Sequence, residues 1–205
     1  NEIDQLKDGE IPSAEIRNLK TIIRQREAIA ATRYLGLPDE NVHFLKLPFY
    51  ETGAVKKAPI SQDDVDIMNH LIKSIRPHQI YAAGDLADPH GTHRLCIDAL
   101  QQSLSQLRKE PFLKDCWVWL YRGAWHEYEP YEIDMAVPMS PAQVRRKRRA
   151  IFFQQTQKDG VMFQGNDPRE FWVRAEDRNR ETAAIYRDLG LSDYAAIEAF
   201  KRYYY

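Results

Sequence analysis

Ile80-Tyr81-Ala82-Ala83-Gly84-Asp85-Leu86-Ala87-Asp88-Pro89-His90-Gly91-Thr92-His93 passes from an apolar run, through a loop, into a helical pattern. The apolar residues Ile80 to Ala83 predict a short buried strand. Gly84 opens a loop at its carboxyl end, the side of an open α/β sheet where ligands bind. From Thr92 onward, Leu95, Ile97, Leu100, Leu104 and Leu107 recur at helical spacing. His90 is therefore expected on the loop and His93 in the first turn of the helix, where both imidazoles can aim into one crevice. A neutral imidazole ligates zinc and an imidazolium stabilises an oxyanion, so the pair can fill two different catalytic roles. The plain alternative is an ordinary capped turn carrying two solvated histidines.

Working outward, the chain opens with a charged lead-in whose Gly9 and Pro12 mark residues 1–12 as a linker. Ser13 is a helix N-cap candidate. Ile16, Leu19, Ile22, Ile23, Ile29 and Ala30 then share a face up to Gly36. Val42 to Leu47 reads as a strand, and Pro48, Gly53 and Pro59 mark a loop long enough to serve function. Ser61 with Asp64 forms a capping-box start for a helix through Ile75, stopped by Pro77. Strand, helix, strand and helix in alternation imply a parallel sheet. Cys116 to Tyr121 reads as a third strand and Glu132 to Val137 as a fourth. Ser140-Pro141 opens a late helix. Residues 167–189 and 193–203 are expected as closing helices.

Composition bounds the function. The 205 residues are 43% hydrophobic, enough for a substantial core in one domain spanning 13–205. Lysine plus arginine is 29 against 30 acidic residues, a net charge of -1 that argues against a nucleic-acid or anionic-membrane surface. No apolar run approaches the roughly 18 residues of a bilayer span, and the polar start lacks a signal-peptide core. The two cysteines, Cys96 and Cys116, sit among apolar residues and read as reduced core thiols, which fits a cytoplasmic setting.

Other residues admit two readings. Arg145, Arg146, Lys147, Arg148 and Arg149 make a basic run that a helix would spread around its axis as a solvated face. Arg122, just past the third strand, could clamp an anionic substrate group, because guanidinium matches phosphate bidentately. It could equally pair with Glu127 or Glu129. His43 and His70 read as structural. Arg24 and Glu27, three residues apart, would be a surface pair from spacing alone.

The residues Asp85 to Arg94 resemble the second histidine motif of the LmbE/PIG-L-like zinc deacetylases, which remove acetyl groups from N-acetylglucosamine-type substrates. Arg24-Gln25-Arg26-Glu27-Ala28, Tyr34-Leu35-Gly36 and His43-Phe44-Leu45-Lys46-Leu47 resemble that family's Arg-x-x-Glu helix and following strand. Lys147, Ala150, Ile151 and Gln157 echo its late helix, although Gln154 stands in the histidine slot and Thr156 in the serine slot. Asp88-Pro89-His90-Gly91-Thr92-His93, Tyr121-Arg122-Gly123-Ala124-Trp125 and Ala175-Glu176-Asp177-Arg178-Asn179-Arg180-Glu181-Thr182 resemble more closely the deacetylase-like half of proteins in which that half follows a glucosamine-6-phosphate deaminase (isomerase). The fold so implied is α/β, a Rossmann-like three-layer parallel sheet, incomplete on its N-terminal side.

The same resemblance implies roles. His93 would be a zinc ligand, His90 would face the tetrahedral oxyanion, and Asp88 would orient that imidazole. Arg24 and Glu51 would grip sugar hydroxyls, and Arg122 would be a phosphate contact. Trp125 could stack on a sugar face or plug the core. The family's first motif, His-Pro-Asp-Asp, supplies two zinc ligands and the general base, and no such run exists here. The chain is thus expected to be the C-terminal portion of a longer enzyme, inactive and poor in zinc on its own, homo-oligomeric, and fused to or associated with a glucosamine-6-phosphate deaminase domain. A non-catalytic module that binds sugar phosphate or oligomerises such a deaminase is the alternative. A nucleotide-binding Rossmann protein ranks lower, because no Gly-x-Gly-x-x-Gly follows any strand.

Overall fold

The computed structural model describes residues 10–52, 57–85, 91–124, 126–158 and 167–205. Local signals fix most helices. Helix α1 (Ala14–Leu35) starts where the Ser13 hydroxyl accepts from the Ile16 amide, and ends where Gly36 takes φ 95° and donates to Arg33 and Thr32. The short helix α2 is Pro48–Glu51. Helix α3 (Gln62–Ile75) begins with the expected box: Asp64 accepts from the Ser61 amide at 2.9 Å and hydroxyl at 2.7 Å. The other Asp64 oxygen accepts from the Phe49 amide at 3.0 Å, so this fully buried carboxylate also ties α2 to α3. Burial pushes its pKa up, but these hydrogen bonds outweigh that and hold it below the usual carboxylate range.

Strand β1 (Gln79–Ala83), helix α4 (Thr92–Leu107) and strand β2 (Trp117–Tyr121) follow as expected. Strands β1 and β2 pair in parallel, Gln79 opposite Trp117 through Ala83 opposite Tyr121. Ile72, Leu100, Leu104, Leu107, Leu113, Cys116 and Val118 form a buried cluster, with Met68, Ile80 and Ala82 against it. Helices α3 and α4 thereby cover one face of this pair.

Strand β3 is Met135–Met139, helix α5 is Pro141–Phe152 and helix α6 is Phe171–Asp188. Residues 193–203 correct the sequence reading. They carry no helix; Ala196–Tyr203 is strand β4. It runs antiparallel to both β2 and β3, so among the described residues the order is β1-β2-β4-β3. A strand laddered on both edges gains backbone hydrogen bonds from segments remote in sequence, and those override a local apolar spacing that also fits a helix. The sheet is mixed, parallel at β1-β2 and antiparallel elsewhere. Helix α6 packs on β4, giving helices on both sides of the sheet.

Three further expectations are corrected. Val42 to Leu47 forms no strand: among the described residues it pairs with nothing, and Lys46 breaks the extended run at φ 49°. An extended segment becomes a strand only by exchanging ladder bonds with a neighbour. The apolar stripe of α1 is only partly buried; Ile16 is 8% exposed, but Leu19, Ile22 and Ile23 are 52%, 46% and 39% exposed. Neither cysteine forms a disulfide; Cys116 is buried and Cys96 is exposed rather than in the core. Among the described residues no helix is long and apolar enough to cross a membrane.

Candidate functional site at the carboxyl edge of the parallel pair

The β1-β2 ladder runs one bond beyond the strands: the Gly84 amide donates to the Tyr121 carbonyl at 2.7 Å. That bond sets Gly84-Asp85 beside Tyr121-Arg122. Space, rather than backbone conformation, demands glycine here. A Cβ at position 84 would stand 2.6 Å from the Tyr128 hydroxyl oxygen and 2.7 Å from Leu120 Cβ.

Asp85 is fully buried, and its Oδ1 faces Arg122 Nη1 at 3.8 Å, an ion pair too long to be a hydrogen bond. The Arg122 guanidinium lies over the Tyr128 ring, 4.4 Å from its centre. Arg122 is thus ion-paired, with Asp85 and not with Glu127 or Glu129, the partners weighed as the alternative to a phosphate clamp. Its Nε and the Tyr128 hydroxyl are shielded from solvent and find no hydrogen-bond partner among the described residues. Burial, more than the pull of Arg122 in the other direction, pushes the Tyr128 pKa up to about 12. The phenol therefore stays a proton donor.

His93 stands in the first turn of α4, half-buried, with its Nδ1 shielded from solvent. The helix begins after Gly91, which adopts φ 69°. The assignments to Asp88, His90 and Trp125 lie outside the described residues. Arg24 and Glu51 are exposed, and no hydrogen bond or ion pair joins either to Asp85 or Arg122 among the described residues. Arg24 stands near Lys57, whose pKa falls through burial first and the Arg24 charge second. Glu27 is occupied elsewhere: it accepts from the Thr156 amide at 2.8 Å and hydroxyl at 2.7 Å, tying α1 to the turn that follows α5.

Behind Arg122 and Tyr128 lies a charge network that sequence reasoning missed. Glu127 accepts from Arg178, from the Thr182 hydroxyl at 3.3 Å and from the Tyr128 amide at 2.9 Å. Arg178, 7% exposed, also donates to Glu198 on β4, which accepts from Lys147. Lys147 donates to Asn179 as well, at 2.6 Å. Burial pushes Glu127 up; Glu198 is buried too, yet Lys147 and Arg178 hold it below the ordinary range. The basic run is accordingly split. Arg145, Arg146 and Arg149 are exposed, while Lys147 turns into this network and Arg148 pairs with Glu176. Lys147 meets Asn179 and Glu198, 32 and 51 positions away, so no local signal in the run marked it. Among the described residues no group of three or more His, Cys, Asp or Glu could hold a metal ion.

No protein-family model matches the chain. It is 51% identical over 203 residues to a glucosamine-6-phosphate deaminase-like protein of Bacteroides thetaiotaomicron, covering 98% of this chain and 31% of that protein. The chain thus spans about a third of the length of the curated relative it matches. Among solved structures it is similar to the 4-carboxy-2-hydroxymuconate hydratase GalB of Pseudomonas putida KT2440, with TM-score 0.60, 16% identity, and coverage of 97% of this chain and 77% of that one. An N,N'-diacetylchitobiose deacetylase of Pyrococcus horikoshii gives TM-score 0.52, 18% identity, and 89% and 63% coverage. A deacetylase of teicoplanin biosynthesis gives TM-score 0.52, 16% identity, and 90% and 74% coverage.

The fold is similar to that of LmbE/PIG-L-type deacetylases. The α/β architecture expected from the sequence is therefore present, with a mixed sheet in place of the all-parallel one expected. A hydratase shares it, so the fold leaves the reaction to be argued from the site.

Proposed function

We propose that this chain is a portion of an amino-sugar N-deacetylase-like domain, of the kind that accompanies a glucosamine-6-phosphate deaminase (isomerase) half in one polypeptide. One observation carries the reading: the parallel pair delivers Asp85 and Arg122 to its carboxyl edge, 3.8 Å apart, and His93 stands in the first turn of the helix that follows β1 in the chain. The deaminase-like name of the relative supports the amino-sugar class, and the two deacetylase neighbours support the reaction class.

In this reading water adds to the acetyl carbonyl, the carbon–nitrogen bond breaks, and the amine leaves with a proton as acetate forms. His90 faces the oxyanion of the tetrahedral intermediate, and Asp88 orients that imidazole. Arg24, Glu51 and Trp125 contact the sugar. His93 is offered as a metal ligand, but the described residues do not build a zinc site. Catalytic zinc takes about three protein ligands, and His93 is one imidazole.

That donor set favours a second reading, a non-catalytic module that binds an amino sugar for an associated deaminase. Acetate release from N-acetylglucosamine and its 6-phosphate, assayed on a longer polypeptide containing this sequence, separates the two. Turnover that falls about a hundredfold in His90→Ala, as loss of an oxyanion donor does, upholds the enzyme. Sugar binding with no acetate release upholds the module.

A further inference from the structure

We propose that Arg122 and Tyr128, backed by Asp85, form a binding site for the phosphomonoester of a phosphorylated amino sugar. The proposal rests on the amino-sugar reading above and adds the anionic group.

The guanidinium is held but not satisfied. Its carboxylate partner Asp85 stands at 3.8 Å, beyond hydrogen-bond distance. Its Nε is shielded from water and has no acceptor among the described residues. A buried charged donor left in that state is costly, and an arriving oxyanion removes the cost. The Tyr128 ring nevertheless packs against the guanidinium, the ring centre 4.4 Å away, and Asp85 balances the Arg122 charge. It keeps 20% exposure, so the fork can be reached from outside.

The second donor is the Tyr128 hydroxyl. Tyr128 is 6% exposed, and its hydroxyl stands 2.6 Å from where a Cβ on Gly84 would be, without a hydrogen-bond partner among the described residues. Two donors without acceptors at one strand edge are the complement of a phosphate oxygen set, which guanidinium meets bidentately. Neighbouring cations are already engaged: Arg178 with Glu127 and Glu198, Lys147 with Glu198, and Lys201 with Glu132 at 2.7 Å.

The test is titration of the 205-residue chain with N-acetylglucosamine 6-phosphate, inorganic phosphate and N-acetylglucosamine, followed by calorimetry and by phosphorus-31 NMR. Both phosphate-bearing probes are expected to bind. Arg122→Gln should weaken each by about tenfold or more, the scale of a lost charge-assisted hydrogen bond. Arg122→Lys should recover part of the loss, and the unphosphorylated sugar should be indifferent to either change. Thermal melts establish that the variants fold; Tyr128→Phe, a smaller change, should still weaken phosphate binding if Arg122→Gln does not fold. Phosphate binding unchanged in Arg122→Gln and Tyr128→Phe, or no binding of either phosphate probe, overturns the site. Arg122-dependent binding of inorganic phosphate with no contribution from the sugar upholds the site and overturns the amino-sugar reading instead.

Discussion

Asp85 and Arg122 face each other across the ends of two parallel strands, the Asp85 side chain fully buried and the Arg122 side chain four-fifths so, 3.8 Å apart. Removing one partner of a buried pair strands the other. Asp85→Ala should therefore lose about 3–5 kcal/mol of unfolding free energy, measured by urea denaturation. A loss below about 1 kcal/mol, the level of an exposed pair, would show that the pair is solvated in solution.

Gly84 is predicted to be intolerant of any side chain. Gly84→Ala places a methyl 2.6 Å from the Tyr128 hydroxyl and 2.7 Å from Leu120 Cβ. Overpacking of this kind costs about 1–3 kcal/mol. Adding Tyr128→Phe removes the first clash and leaves the second, so the double variant should regain part of the loss. A strictly additive double-variant cycle would contradict the close approach.

Acid unfolding should report the Glu198 and Glu127 carboxyls with opposite signs. Glu198 is held below its ordinary 4.5, so its stabilisation is full above that value and is lost as pH falls through the lower folded pKa. Glu127 is raised above 4.5, so its contribution is full below that value and is lost as pH rises through the higher folded pKa. Glu198→Gln should flatten the loss of stability on acidification, and Glu127→Gln should steepen it. Urea midpoints followed from pH 7 downward decide the matter, and reversed slopes would mean the network is assigned wrongly.

Metal content is the fourth expectation. With His93 as its one assigned zinc ligand, the chelator-treated and zinc-repleted chain should retain well under one zinc after dialysis, since catalytic sites use about three protein ligands. Elemental mass spectrometry measures this directly. One tightly held zinc per chain, lost in His93→Ala, would require ligands beyond those assigned.

Much of this was legible locally. Ser13 and Gly36 bound α1, Ser61 with Asp64 starts α3, and the apolar spacing after Thr92 gives α4; each signal acts within a few residues of where it is written. Strands β1 and β2 were legible as short apolar runs, and their parallel pairing followed from the helix between them. The position of Arg122 at the sheet edge came with them.

Whatever depends on a distant segment was decided only by the tertiary structure. Residues 196–203 fit a helix by spacing and become β4 because β2 and β3 ladder both of its edges, while 42–47 fits a strand and finds no ladder partner among the described residues. The partner of Arg122 is Asp85, 37 positions away, and not Glu127, five away, because Arg178 from α6 has taken Glu127. Charge tells a sequence reader which residues can pair; only packing determines which carboxylate is desolvated beside which guanidinium, and at what distance.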